Sequence, residues 1–377
     1  MTIAKRILFS VAAIATGFVG LCLVAEMLLR LLPVDEGLHD QPVTAENPIP
    51  HFEPNRTSTW SQGWQFSHVN KIRVNNYGFV NTQDYDPAAG TPLVAVIGDS
   101  YIQAAILPFG ETLQARLSRK LGGHGRVYSF GISGTAFATY LVWAEYARDT
   151  FRPDATVFVI VGNDYLGALC KYNRDYYCFE EVDGNLQTRR NNSETHWSRP
   201  MLLHSALARY LFANVGILRR IRILLRGTRD LGLSTTPDEA TPELLRDSRR
   251  AVDEFLAQSS ERTHLSPAQV AFVLDAPRPA IYKPDELQQM DSSFFVRMRA
   301  YFITQAQARG YQVIDTQPYF IARHSKDGSI FEFPDDGHWN SVGHEVVADA
   351  VSSFLSQLDA FAFLKTPDAA PPAEPNE

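Results

Sequence analysis

A doubly wound α/β domain with a parallel sheet, placed behind one N-terminal apolar helix, is the fold class this sequence predicts. Three observations predict it. Short apolar runs alternate with longer segments of helical period along the chain. Those runs lack the polar alternation of a sheet with one wet face, so they read as strands covered on both sides. Residues 7–25 carry no charge at all.

That uncharged run comes first. Its 19 residues span about 28 Å of helix, enough to cross a bilayer core. Lys5 and Arg6 precede it, so the positive-inside rule predicts an uncleaved single-pass anchor with everything after residue 33 outside the cytoplasm. A cleaved signal peptide is the rival reading, but the run is longer than a usual signal core and no A-x-A site follows. Cys22 follows Leu21 rather than the small residue of a lipoprotein site, and reads as apolar filler. Residues 34–90, rich in Pro, Asn, Gln and Trp, predict an extended, irregular lead-in.

The domain is predicted over 91–362. Residues 93–97 (LVAVI), 126–130, 155–161 (ATVFVIV), 270–274 and 312–314 read as strands; 112–121, 136–150, 292–309 and 341–358 read as helices. Strand and helix in alternation imply parallel pairing through right-handed crossovers. An insertion at about 166–266 contains a helical stretch, 201–226, with four arginines towards its end; it reads as an amphipathic helix packed on the domain with its arginines solvated, in preference to a lid or a bilayer contact. Residues 363–377 carry too little apolar surface to fold and read as a disordered tail.

Composition excludes several classes. The 35 Lys plus Arg against 42 Asp plus Glu give a net charge of −7, which offers no field for nucleic acid. Three cysteines are too few for a disulfide-built scaffold and lack the clustered Cys/His spacing of a zinc site. Cys170 and Cys178, eight residues apart, are close enough in sequence to close a disulfide loop in an oxidising exterior.

The chemistry-bearing residues fall at predicted strand ends, where open α/β sheets bind ligands. Gly98-Asp99-Ser100 closes the first strand, Gly131-Ile132-Ser133-Gly134 follows the second, and Gly162-Asn163-Asp164 follows the third. Each alone is ordinary turn chemistry. Ser100 at a strand-to-helix junction exposes a hydroxyl, and Gly134 and Asn163 offer N–H donors to an oxyanion. Before the final helix comes Asp335-Asp336-Gly337-His338-Trp339. A histidine held by a carboxylate can take the serine proton and return it to the leaving oxygen.

Together these residues resemble the SGNH, or GDSL-like, hydrolase superfamily, whose four named residues match Ser100, Gly134, Asn163 and His338. The resemblance covers about 91–165 and 268–358, and the run DGHWNSVGH resembles membrane-anchored bacterial members related to exopolysaccharide O-acetyltransferase and acetylesterase domains. It implies a flavodoxin-like three-layer α/β/α fold, no metal, and attack by Ser100 on an ester. The oxyanion hole would be Ser100 N, Gly134 N and Asn163. Asp-x-x-His would choose Asp335 as the orienting carboxylate and Asp-x-His would choose Asp336; Asp336 is favoured. Val161 stands where the family's third motif has glycine. His344 is expected to serve structurally against the following helix, and residues 73–79 (RVNNYGF) resemble a lead-in that reads equally as a turn held by Asn76 and Gly78.

The expected activity is an envelope acyl ester hydrolase or acyltransferase acting on O-acetylated carbohydrate. A transferase would need a membrane partner to supply acetyl groups. Trp339, Tyr172, Tyr176 and Tyr177 are candidates for stacking on sugar rings or for ordinary packing. Two other readings are a catalytically silent carbohydrate-binding or scaffold subunit and a membrane-anchored lipid esterase.

Overall fold

A computed structural model describes residues 2–173, 176–191, 204–218, 220–221, 240–283 and 293–365. The chain forms two compact units. One comprises Met1–His39, Thr57–Ile72 and Thr195–Leu231; the other comprises Asp40–Arg56, Arg73–Glu194 and Gly232–Glu377.

The first unit begins with helix α1 (Ile3–Leu29), none of whose residues is buried. It is long and apolar enough to cross a membrane. The strands β1 (Arg56–Gln62) and β2 (His68–Val74) form a two-stranded sheet where an irregular lead-in was expected. The expected single helix over 201–226 is interrupted. A short helix (Ala206–Arg209) passes into a π-turn (Tyr210–Asn214), and Gly216 then takes a left-handed φ of +63° that breaks the period. Residues 201–203, 219 and 222–226 of that stretch lie outside the described residues.

The second unit is built on a parallel sheet of β3 (Leu93–Gly98), β4 (Arg126–Gly131), β5 (Ala155–Ile160), β8 (Val270–Leu274) and β9 (Gln312–Asp315), in the order β4-β3-β5-β8-β9. The first four are buried at every residue, as their unbroken apolar runs require. Side chains alternate between two cores. Val157, Val159, Ala271 and Val273 face a layer with Leu113, Leu117, Val347 and Val351. On the opposite face Phe158 stacks on Phe272 with centroids 5.4 Å apart, and Phe255 and Phe302 pack against them.

The helices covering the first face are α3 (Leu113–Leu121) and the last long helix, Ser341–Leu355. The second face is covered by α4 (Phe137–Phe151), Pro242–Thr263 and Phe294–Ala308. Helix Pro242–Thr263 corrects the expected insertion at 166–266. Thr241 caps its N-terminus, Pro242 opens it, and Leu245, Val252, Phe255 and Leu256 form its buried stripe. It is the crossover that returns the chain from β5 to β8. What remains of the insertion includes the antiparallel hairpin β6 (Tyr177–Val182) and β7 (Asn185–Arg190). Cys170 and Cys178 are bonded at the base of this hairpin.

Residues 73–90 belong to the domain as well. Tyr85 is buried on Tyr128, centroids 3.9 Å apart; its hydroxyl accepts from Ser129 N at 2.8 Å and donates to Ser129 O at 2.7 Å. This side chain satisfies backbone groups that the edge strand β4 would otherwise leave open. The turn before it is held by Asn75, whose Oδ1 accepts from Tyr77 N and Phe79 N, and by Gly78 at φ +82°. At the other end of the domain, Phe361 is buried in a turn (Asp359–Lys365) and Phe363 packs on His124. Residues 363–365 are therefore part of the fold, while 366–377 lie outside the described residues.

Candidate active site

The strand order places β3 beside both β4 and β5, so the chain reverses its direction of winding at β3 and opens a crevice at the carboxyl ends of the strands. Ser100 stands there. Asp99 ends the strand and its Oδ1 accepts from Tyr101 N at 3.0 Å, which starts the single turn α2 (Ser100–Gln103) at the serine. That turn lies close against β4. A Cβ added at Gly131 would sit 2.9 Å from both Gln103 N and Ile102 Cβ, so only glycine fits.

His338 arrives on a small hairpin. β10 (Glu332–Phe333) pairs antiparallel with β11 (Asp336–Trp339), with an irregularity between Glu332 and Phe333. Asp336 Oδ1 accepts from His338 N at 2.9 Å and lies 2.5 Å from His338 Nδ1. An ionised carboxylate only accepts, so the ring proton sits on Nδ1 and the Nε2 lone pair is left for another donor. That donor is Ser100 Oγ, 2.7 Å from Nε2. Asp336, not the exposed Asp335, is the carboxylate on the imidazole.

Asn163 and Gly134 reach the same strand-end edge. Asn163 Nδ2 donates to Asp99 Oδ2 at 3.1 Å, and Ser100 Oγ lies 3.3 Å from that same oxygen. Gly134, at φ +84°, lies on the loop after β4, where its carbonyl accepts from Asn173 Nδ2 at 3.0 Å. The third loop tolerates Val161 because Asp164 organises it. Asp164 Oδ2 accepts from Val161 N at 2.8 Å and its Oδ1 accepts from Tyr140 OH at 2.7 Å. Burial raises the pKa of Asp164 well above the usual carboxylate value, and the Asp99 charge adds to it. Burial likewise raises Asp99, against the opposing pull of Tyr101 N and Asn163.

Sequence reasoning missed the network behind the histidine. The Tyr101 hydroxyl lies 3.1 Å from Gly337 O and 3.3 Å from Asp275 Oδ2, and its ring packs 4.8 Å from the His338 ring. Arg278 Nη2 donates to Tyr101 OH and to Asp275, and Trp339 Nε1 donates to Asp275 Oδ1 at 2.7 Å. The residue after the nucleophile is thereby tied to the residue before the base. Asp275 directly follows β8, and that strand-end position was the available signal. Tyr101→Phe removes one tie worth about 1 kcal/mol. It is expected to lower kcat about fivefold with KM little changed, measured by steady-state hydrolysis of a chromogenic acetyl ester.

Trp339 is fully buried, so its ring is core and cannot stack on a sugar. Tyr177 OH donates to Pro48 O and Tyr172 holds the Lys171 ammonium at 5.2 Å. A groove of about 660 Å³ lies between the β6–β7 hairpin and helix Pro242–Thr263, and none of the Ser100 site residues lines it. Lys171 pairs there with Glu243, Arg189 with Glu180 and Arg250 with Glu181. Among the described residues no group of His, Cys, Asp and Glu is arranged to hold a metal ion.

His344 sits inside the final helix and serves α3 instead, accepting from Leu113 N at 3.0 Å through Nδ1. Burial, then the Arg116 and His338 charges, lowers its pKa to about 3. An unfolded histidine titrates near 6.5. A depressed folded value means that the unfolded chain takes up the proton first, so stability is full above pH 6.5 and falls as pH drops towards 3. The loss is about 1.4 kcal/mol per unit. Denaturant unfolding of the parent chain is expected to show about 2 kcal/mol less stability at pH 5 than at pH 7 from this group. His344→Gln, which keeps an acceptor without the titration, should flatten that difference.

A model of the GDSL-like lipase/acylhydrolase family matches residues 94–351. No curated protein matches the sequence. Among solved structures, the chain is similar to LAE5, an α/β hydrolase from the metagenome of Lake Arreo, Spain, at 18% identity over 74% of this chain and 98% of that one, TM-score 0.38. It is also similar to the acetyl xylan esterase AlAXEase, at 15% identity over 69% and 98% of the two chains, TM-score 0.39. A lipolytic protein of the G-D-S-L family from Veillonella parvula matches at 11% identity over 71% and 100%, TM-score 0.37.

Proposed function

Because the chain belongs to the GDSL-like lipase/acylhydrolase family, we propose that it is a serine-dependent esterase or acyltransferase of the cell envelope, acting on O-acetyl groups of carbohydrate. One observation carries this reading. His338 bridges Ser100 and Asp336, at 2.7 Å on Nε2 and 2.5 Å on Nδ1.

In this mechanism Ser100 Oγ adds to the acyl carbonyl while His338 Nε2 takes its proton. The carbonyl oxygen becomes an oxyanion facing Ser100 N, Gly134 N and the Asn163 amide, which shares its proton now bonded to Asp99. Collapse breaks the ester C–O bond, and His338 returns the proton to the departing alcohol. The acyl group remains on Ser100. Water then completes hydrolysis, or a sugar hydroxyl completes transfer, and His338 deprotonates either one.

The envelope assignment is supported by α1 and by the Cys170–Cys178 bond, which suits an oxidising compartment. A transferase would require a partner that delivers acetyl groups to Ser100, whereas an esterase requires none.

The test is p-nitrophenyl acetate turnover by the full-length protein in detergent beside Ser100→Ala, with mass spectrometry for an acetyl group on Ser100. Turnover confined to the parent, with an acetylated Ser100, supports the reading. Acetylated oligosaccharides as donors and acceptors then separate esterase from transferase. A folded parent with neither turnover nor acylation overturns the enzyme reading in favour of a binding subunit.

A further inference from the structure

We propose that the unit carrying α1 has a second membrane contact, in which residues 205–218 and 220–221 and the turn between β1 and β2 lie in the headgroup region of the bilayer. This rests on α1 crossing that bilayer. Depth is set by Glu26, the first charged residue after the uncharged run 7–25. Its carboxylate accepts from Ser205 Oγ at 2.9 Å, Ala206 N at 3.1 Å and Leu207 N at 2.8 Å. Arg30 pairs with Glu26 at 2.8 Å and donates to His204 O. The segment therefore starts level with the last turn of α1, where the hydrocarbon ends.

The β1–β2 turn is tied to the same place. Tyr210 OH donates to Trp64 O at 2.8 Å, and Asn214 joins Ser61 Oγ at 2.6 Å to Asp35 N at 3.1 Å. Glu26, Ser61, Tyr210 and Asn214 thus find their polar partners within this unit, while large apolar side chains point outward. Leu31, Trp64, Val69, Phe212, Leu218 and Ile221 are all exposed, Leu31 by 83% and Leu218 by 62%. Outside α1 the much larger second unit exposes four such side chains among the described residues: Tyr172, Val182, Tyr319 and Ile330.

An apolar concentration of this kind on a small unit marks a contact surface. Its continuity with α1 selects lipid as the occupant. Trp64 and Tyr210 are the residue types that favour the membrane interface, and the exposed Lys71 and Arg220 suit anionic headgroups.

The experiment uses the full-length chain in nanodiscs of phosphatidylcholine and phosphatidylglycerol. In a Cys22→Ser background, Leu218→Cys, Phe212→Cys and Tyr319→Cys each carry an environment-sensitive NBD label. A labelled native Cys22 reports insertion of α1. The expected result is a blue-shifted label at 218 and 212, quenched by lipid bearing doxyl near its headgroup about threefold or more above the label at 319. Two results would overturn the proposal while leaving α1 in place: labels at 218 and 212 as wet as that at 319, or a blue shift without lipid quenching, which would mean a protein covers the patch. An unquenched Cys22 label would remove the membrane reading itself.

Discussion

Ser100→Ala is expected to lower turnover of an acetyl ester by roughly 10⁴-fold or more while moving the melting temperature by no more than about two degrees. The two effects separate because of where the hydroxyl sits. Its partners are His338 Nε2 at 2.7 Å and Asp99 Oδ2 at 3.3 Å, and Asp99 keeps Tyr101 N and the Asn163 amide when the hydroxyl is gone. The turn that places residue 100 therefore survives. What is lost is the nucleophile bonded to the imidazole, leaving whatever rate substrate binding and the oxyanion donors support with water. His338→Ala should cost about as much, and the double variant no more, because neither residue works without the other. Retention of a tenth of the activity by Ser100→Ala would mean that another residue attacks.

Asp336→Asn is the second large effect, about 10³- to 10⁴-fold in kcat, with Asp335→Asn within about twofold of the parent. An amide in place of the Asp336 carboxylate no longer holds the Nδ1 proton, so the ring can present the wrong nitrogen to Ser100. The pH profile adds a second readout. Burial lowers the His338 pKa, but the hydrogen bond and charge of Asp336, with the Asp99 charge, outweigh it, and the net value is raised above 6.5. The base works when neutral, so kcat/KM should rise through a pKa above 6.5 in the parent. In Asp336→Asn the raising partner is gone, burial remains, and the acid limb of the residual activity should move to lower pH. An acid limb that stays in place would show that a different group titrates.

The sheet was legible because its strands are short, fully covered apolar runs, and Ser100, Asn163 and His338 were legible because each closes or follows such a run or carries its own carboxylate. Asp336 was favoured over Asp335 only through the Asp-x-His spacing of the resemblance; β11 places positions 336 and 338 on the same side of the strand. Less was legible where partners are distant in the chain. Tyr101 meets Asp275 across 174 positions and Arg278 across 177; the strand-end place of Asp275 marks it, but no local pattern pairs it with Tyr101 or Arg278. Trp339 was a candidate for stacking on a sugar or for ordinary packing, and its indole N–H satisfies Asp275 inside the core. Helix Pro242–Thr263 was obscured by its many charged residues, which line the outer face of a helix whose apolar stripe is narrow. Tyr85 escaped notice because the backbone groups it satisfies belong to a strand edge, and which strand lies at an edge is a property of the topology.

The pairing of Ser100 with a base 238 residues further along the chain also sets a timetable. During synthesis the nucleophile emerges early with an unactivated hydroxyl, because the edge strand β9, the β10–β11 hairpin and the closing helix are all still to come. A growing chain, or one cut short before residue 338, holds a serine no more reactive towards esters than any other. The serine gains its base only once the β10–β11 hairpin, which carries both Asp336 and His338, sits against α2.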